Sequence, residues 1–153
     1  MAFLSSLNIV ASGMTAQQLR LDVVAENVTN STTTRTEAGG PYRRKMVVFQ
    51  SVAGRDDFRA AMARAAGGLA PNTGASPAGG VRVTQIVEDP SPMKLVYDPA
   101  HPDANEDGYV EMPNVDMVKE MTDAMADTQA YSANVTAFNT LKSVVAKGLE
   151  IGR

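Results

Sequence analysis

The chain has 153 residues, enough for one ordinary domain or for one domain with helical arms. With 14 basic and 17 acidic residues its net charge is −3, a near balance that excludes a strong electrostatic attraction for nucleic acid or for an anionic membrane. It contains no cysteine, which excludes disulfides, zinc–thiolate sites and cysteine nucleophiles and leaves the redox compartment open.

The residue types favour slender helix packing over a thick core. Aromatic residues make up 5% of the chain, there is no tryptophan, and nine methionines take their place. No run is apolar enough to cross a bilayer, and the apolar start over residues 1–7 lacks the positive flank of a secretory signal peptide. We therefore expect no direct membrane insertion. If the protein is exported, we expect a route that uses no cleaved signal.

The first predicted element is a helix over residues 5–28. Ser5 or Ser6 can cap it by accepting an orphan backbone N–H, and Gly13 within it indicates the close approach of a neighbouring backbone. Apolar residues recur along this helix at alternating steps of three and four, a pattern typical of helices that another helix covers. The members of this first seam are Leu7, Val10, Met14, Leu21, Val24 and Val28, and the one polar residue on the same step is Gln17.

The middle of the chain predicts short strands separated by turns rich in glycine, proline and asparagine. Four short runs contain apolar and β-branched residues, and in the second of them Val81, Val83 and Val87 largely alternate with other residues. These runs predict strands over residues 45–50, 81–87, 94–97 and 108–112.

Two further stretches of the middle have no clear periodicity. Residues 56–66 fit either a short helix or a mobile arm, and residues 67–80, nearly all small or polar, predict a flexible insertion. The single basic cluster, residues 42–45, is short and borders a strand. We interpret it as a solvated strand face rather than as a phosphate site.

The last predicted element is a helix over residues 114–149, with Asn114 as its N-cap and Asp116 favourable to the helix dipole. The two helical seams can cover the protein's own core or each other, but the small middle leaves part of them uncovered in a monomer. The sequence therefore predicts contacts between subunits. The members of this second seam are Met117, Met121, Ala124, Thr128, Tyr131, Val135, Phe138, Lys142, Val145 and Leu149.

Together these elements predict an α+β fold with long coiled-coil-like helices at both ends and a small β-rich middle domain. The expected division is an N-terminal helical arm and export region over 1–34, the middle domain over 35–113, and a C-terminal long helix over 114–153. The flexible insertion near 55–80 belongs to the middle domain.

The strongest local motif is the acidic run over residues 103–108, which matches the first half of an EF-hand calcium loop. Its second half fails because Asn114 stands where a bidentate glutamate is needed, and Pro99 and Pro102 prevent a preceding helix. We interpret the run as a turn between strands. His101 is the only histidine and has no metal-ligating partner at the right spacing. We predict no catalytic residue, no metal site and no cofactor.

Several segments resemble the bacterial flagellar basal-body rod proteins, and among them the proximal rod members. The N-terminal part carries Gly-Met-Thr-Ala at 13–16 and an asparagine pair, between which the family has Leu-Ala and this chain has Val28-Thr29. The runs over 41–45 and 87–115 resemble the proximal members, and only about 55–80 falls outside the resemblance. The motif residues are Met14, Ala16, Arg20, Asn27, Asn30, Tyr131, Asn134 and Asn139.

The resemblance implies a structural subunit of the flagellar drive shaft that transmits torque and is not an enzyme. It implies export through the flagellar type III apparatus without a cleaved signal, and a location in the basal body within the cell envelope. Expected partners are further copies of the chain, other rod proteins, and components of the membrane ring and the export gate. In this family the terminal helices form the inner layer of the tube. The alternative is a secreted coiled-coil adaptor or binding module.

The candidate assembly interface is the apolar part of the two seams. We also expect the amides of Asn27, Asn30, Asn134 and Asn139 to fix the register of the helices. The predicted interface residues are Leu7, Val10, Met14, Leu21, Val24, Val28, Met117, Met121, Tyr131, Val135, Phe138, Val145 and Leu149.

Overall fold

The computed structural model describes residues 2–52, 62, 65, 66 and 79–151. Two long helices, one near each end of the chain, enclose a small β region in sequence, so the predicted α+β class is confirmed. Most of the 56–66 stretch and nearly all of the expected insertion over 67–80 lie outside the described residues. The elements are α1 (Ala2–Thr29), β1 (Lys45–Ser51), β2 (Val81–Glu88), β3 (Lys94–Tyr97), β4 (Tyr109–Met112) and α2 (Met117–Ile151).

The described strands form two separate two-stranded sheets, β1 with β2 and β3 with β4. In the second sheet the strands are antiparallel, and Tyr97 stands opposite Tyr109 with ring centroids 5.2 Å apart at 65°, an edge-to-face contact. Gly108 precedes β4 at a φ of 80°, and a Cβ there would come within 3.0 Å of the Tyr97 ring. The turn into β4 therefore requires glycine.

Both helices begin at positions that differ from the predicted ones. Because α1 already starts at Ala2, Ser5 and Ser6 lie inside it, and the predicted capping role is wrong. Helix α2 starts at Met117, and Asp116 is its N-cap, because its Oδ1 accepts the Val118 N–H at 3.0 Å. No helix in the described part is both long and apolar enough to cross a membrane.

By its contacts the chain separates into two compact units. The first takes its described residues from Met1–Ala16, Phe49–Thr84 and Tyr131–Arg153, and the second consists of Gln17–Val48 and Gln85–Ala130.

In the first unit the start of β2 lies against α1. The Ser12 hydroxyl accepts the Val81 N–H at 3.0 Å and donates to the Ile9 carbonyl at 2.7 Å. Gly80 has a φ of 121°, and a Cβ on it would lie 2.3 Å from the Ser12 oxygen. Only glycine allows the chain to enter β2 this close to the helix.

The apolar core of the second unit is small. Its buried apolar residues are Val23 and Val24 of α1, Tyr42 before β1, Val110 of β4, and Val115 before α2. Alongside this core lie the fully buried polar and charged side chains of Asn27, Glu120 and Asp127.

Candidate functional site

Asn27 is the centre of a buried polar cluster in the second unit, and only 1% of the residue is exposed. Its Oδ1 accepts the Lys45 backbone N–H and the Tyr42 hydroxyl, each at 2.9 Å. Its Nδ2 donates to the Lys45 carbonyl at 2.9 Å and to Oε2 of Glu120 at 3.0 Å. This amide uses all its donors and acceptors, and it joins the end of α1 to β1 and to the first turn of α2.

Glu120 is 0% exposed, and its charge is balanced by Arg44. The Arg44 guanidinium donates from Nε to Glu120 Oε1 at 2.5 Å and from Nη2 to Asp123 Oδ2 at 3.0 Å. A buried charge is tolerated only when it is paired and hydrogen-bonded, and here each charge meets that condition. We call Asn27, Tyr42, Arg44, Glu120 and Asp123 the buried polar cluster.

The backbone beside Arg44 is fixed by Asn114 and Asp89. Asn114 Oδ1 accepts the Arg44 N–H at 2.8 Å, and its Nδ2 donates to the Asp89 carbonyl at 3.2 Å. The expected N-cap role of Asn114 is therefore wrong, because its side chain joins two loops instead of capping a helix. Hydrogen bonds from Ser91, and then the charge of Arg44, lower the pKa of the Asp89 carboxyl.

The hydroxyl of Tyr42 is held in its neutral, donating form. Burial, followed by the carboxylates of Glu26 and Glu120, raises the pKa of Tyr42 to about 12. A phenol that stays protonated at neutral pH keeps its hydrogen bond to Asn27.

Asp127 is a second buried carboxylate on α2, and 1% of the residue is exposed. Arg20 Nη1 lies 3.1 Å from its Oδ1. Its Oδ2 is buried with no hydrogen-bond partner among the described residues, and the same holds for Gln17 Oε1 on α1. Burial raises the pKa of Asp127, opposed by the charge of Arg20 and assisted by that of Asp123.

We expect Asp127→Asn to remove a pH-dependent loss of stability. Because the folded-state pKa of Asp127 is raised, the stabilisation that its proton provides is complete at acidic pH and is lost as pH rises through the folded pKa. In urea denaturation at increasing pH, the unfolding free energy of the variant should rise relative to that of the wild type. Asp22→Asn, at an exposed position of α1 in the same unit, is the control, and its curve should stay parallel to the wild type. Parallel curves for Asp127→Asn would contradict this expectation.

The covered stripe on α2 coincides with only part of the predicted seam. Most covered residues of α2 form two series, each with a step of seven residues. One series coincides with positions of the predicted seam. The other lies one residue before the predicted positions, so that Glu120 and Asp127 turn inward while Met121 and Thr128 turn outward. The reason is that both carboxylates find cationic partners inside the fold, which apolar periodicity does not reveal. The covered series are Ala124, Tyr131, Phe138 and Val145, and Glu120, Asp127, Asn134 and Leu141.

An exposed apolar face lies on the N-terminal half of α2. It consists of Met117, Val118, Met121 and Met125, with 38%, 74%, 52% and 73% of each residue exposed. Met121 and Met125 border a shallow groove of about 420 Å³ that Ala124, Thr128 and Gln129 complete. Grouped apolar side chains of this size at a surface are typical of a binding face.

The predicted interface residues fall into three exposure classes. Val24 is buried. Met117, Met121 and Leu149 are exposed. The remaining members are half-buried, namely Leu7, Val10, Met14, Leu21, Val28, Tyr131, Val135, Phe138 and Val145.

The motif asparagines other than Asn27 have different environments. Asn30 closes the end of α1, where its Nδ2 donates to the Glu26 carbonyl at 3.0 Å. In the first unit Asn134 faces Gly13, and a Cβ on Gly13 would lie 3.3 Å from its Nδ2. The neighbour that Gly13 admits is thus a side chain and not the backbone that the sequence indicated. Asn139 is exposed.

The remaining motif residues lie within or beside the covered faces. Ala16 is buried, Arg20 pairs with Asp127, and Met14 and Tyr131 are half-buried.

The basic cluster over residues 42–45 is not the solvated strand face that the sequence indicated. Tyr42 and Arg44 are buried, and Arg43 and Lys45 are half-buried. The burial of Arg44 was missed because its partners on α2 lie 76 and 79 residues away in sequence and cannot be read locally. The seven-residue spacing of Glu120 and Asp127 was a signal for the covered side of α2, which apolar patterns ignore.

The acidic run over residues 103–108 folds as a turn. Asn105 Oδ1 accepts the N–H groups of Asp107 at 3.1 Å and Tyr109 at 2.8 Å, and Asp103 accepts the Thr34 hydroxyl at 2.8 Å. His101 Nδ1 accepts the Asp103 N–H at 3.1 Å. Within the described ranges no three His, Cys, Asp or Glu side chains gather as a metal ion would need.

Two family models match the ends of the chain. Residues 7–35 match the model described as flagella basal body rod protein, and residues 106–151 match the flagellar basal body rod FlgEFG protein C-terminal model.

Similar proteins extend over almost the whole chain, and each of the following is named flagellar basal-body rod protein FlgC. The one from Bacillus subtilis is 47% identical, covering 97% of each chain. The one from Borreliella burgdorferi is 42% identical, covering 99% of this chain and 98% of its own. The one from Salmonella typhimurium is 40% identical over the full length of both.

Proposed function

Because the chain belongs to the FlgC family of flagellar basal-body rod proteins, we propose that it builds the rod by burying its helical seams against neighbouring subunits. The chain is a structural subunit of the flagellar basal-body rod and assembles there with other rod and basal-body proteins. The family resemblance noted from the sequence is thereby confirmed. The alternative of a secreted adaptor has no support from these relatives.

The observation that carries this proposal is the exposed apolar face of α2. Side chains such as Met121 and Met125 remain in water in the isolated chain. Burying one of them contributes roughly 1.5–3 kcal/mol. A neighbouring subunit that covers this face supplies adhesion without any bond-forming chemistry.

The seven-residue spacing of polar pairs supports a coiled-coil-like arrangement of the two helices. In the second unit Asn27 contacts Glu120 and Arg20 contacts Asp127. From the first pair to the second, the chain goes back seven residues on α1 and forward seven residues on α2. A repeat of this length is typical of long helices that share one contact line. We propose that the helical ends over 1–34 and 114–153 form the assembly elements, and that 35–113 forms the middle domain.

The chemistry of the buried polar cluster supports a role without catalysis. Arg44 holds both Glu120 and Asp123, and Asn27 donates to Glu120, so these carboxylates are engaged in ion pairs and hydrogen bonds within the fold. We propose that the protein is not an enzyme and needs no cofactor. We further propose export without a cleaved signal, and contacts with membrane-ring and export-gate components besides the rod itself.

Val135→Asp tests the role of the half-buried seam. Placing a charge at a half-buried position costs several kcal/mol unless it finds a partner, so we expect no rod and no swimming when this variant is the only copy in the cell. Thr136→Asp, the exposed next residue, is the control and should swim normally. Normal swimming of Val135→Asp, with protein levels matched by immunoblot, would refute the seam assignment.

A further inference from the structure

Among the described residues β3 pairs with β4 alone, so its edge on the side away from β4 is open. All four of its residues are exposed, with 64% of Leu95, 46% of Val96 and 65% of Tyr97 accessible to solvent. A strand edge with unpaired backbone groups is a template for another strand.

The register shows which backbone groups point outward. Asp98 donates its N–H to the Gly108 carbonyl at 3.0 Å, which makes this a hydrogen-bonded pair of the ladder. Hydrogen-bonded and non-hydrogen-bonded pairs alternate in an antiparallel sheet, so Val96 bonds to Val110, while Leu95 and Tyr97 direct their N–H and C=O groups away from β4.

The partner strand must present the same outward groups in antiparallel order. If Leu95 of one copy stands opposite Tyr97 of a second copy, both outward residues of each strand are paired, and four hydrogen bonds form between the copies. In this register Val96 faces its own counterpart. Shifting the register by two residues in either direction leaves one outward residue of each strand without an outward partner.

Charge favours the same register. It places Lys94 opposite Asp98 of the second copy at both ends of the paired segment, so that each copy gives one cation and one anion. Lys94 Nζ donates to the Val115 carbonyl at 2.6 Å, which holds the ammonium beside the strand with two further protons to donate.

We propose that β3 is a self-complementary docking edge that takes β3 of a second copy of this chain, with Val96 on the two-fold axis. The product is a four-stranded antiparallel sheet in the order β4, β3, β3, β4. Such a two-fold contact closes on itself, so it is distinct from the contacts that extend a shaft, and it does not rest on the proposed function.

Disulfide trapping tests this register directly, because the natural chain has no cysteine. At a non-hydrogen-bonded position on the axis the two Cα atoms lie about 4.5 Å apart, within the roughly 4.4–6.8 Å range of a disulfide. Purified full-length Val96→Cys should form a covalent dimer on mild oxidation. Exposed Glu111→Cys on β4 is the control, because three strand spacings alone separate the two copies of this residue by about 14 Å, and an offset along the strands adds to that distance. Equal cross-linking of both variants, or none for Val96→Cys, overturns the proposal.

Sedimentation equilibrium of the unmodified chain provides an independent measurement. We expect a monomer–dimer equilibrium whose dissociation constant rises about tenfold or more in Leu95→Lys, since two like charges then meet the paired edge. Ile86→Lys replaces an apolar side chain that is exposed on β2, outside the exposed apolar face of α2, and should leave the constant unchanged. A monomer at every concentration, or equal constants for the two lysine variants, argues against β3 pairing.

Discussion

Glu120→Ala should lower the free energy of unfolding by about 3–5 kcal/mol. The substitution leaves the Arg44 guanidinium without its closest carboxylate and removes the acceptor of one Asn27 donor. Both groups are buried, and water cannot replace the missing partner without opening the contact between α1, β1 and α2. Urea denaturation followed by far-UV circular dichroism gives the free energy directly.

Two further variants separate loss of charge from loss of packing. Glu120→Gln keeps the volume and one acceptor oxygen, so we expect it to lose less stability than the alanine variant. Asp22→Ala removes a carboxylate from an exposed position of α1 in the same unit and should change stability by no more than about 0.5 kcal/mol. If Glu120→Ala behaves like Asp22→Ala, the cluster does not stabilise the fold.

Met121→Asp should abolish rod assembly and leave the isolated chain folded. Because 52% of Met121 is exposed, an aspartate there is hydrated in the monomer. Under a neighbouring subunit the same carboxylate would be buried without a partner, which costs several kcal/mol at each contact. Swimming on soft agar, and recovery of basal bodies from cells carrying only this variant, measure the effect.

Thr122→Asp is the matched control, since it puts the same charge on the adjacent exposed position. We expect cells with this variant to swim, and both purified variants to unfold within about 1 kcal/mol of the wild type. Swimming of Met121→Asp cells, or equal loss in Thr122→Asp cells, would remove the exposed apolar face from the assembly surface. Val135→Asp alone cannot make this distinction, because a half-buried position can also act through the fold.

Local patterns were sufficient for the secondary structure. The three-four step predicted α1 to within a few residues, and residues 94–97 form the third described strand as predicted. These features depend on periodicity and on turn residues, which act between neighbours along the chain. The predicted N-caps were wrong because α1 begins before Ser5 and Ser6, and because Asp116 rather than Asn114 accepts the Val118 N–H at the start of α2.

The inward face of α2 could not be predicted in this way. Apolar spacing pointed to Met121, whereas the fold buries Glu120 and Asp127. Burial of a carboxylate is favourable only when a cation or donor is already in place, and the partners here come from distant segments. Asn27 lies 93 residues from Glu120, and Arg44 lies 76 residues from it.

The sequence by itself determined the α+β class, the two long helices, the short strands and the family, because each of these depends on local periodicity or on motif residues. Only the tertiary structure decided which side of α2 faces inward and that Arg44 is buried. Those outcomes depend on charges meeting across the fold, and the cost of burying them is offset only by partners that folding brings together.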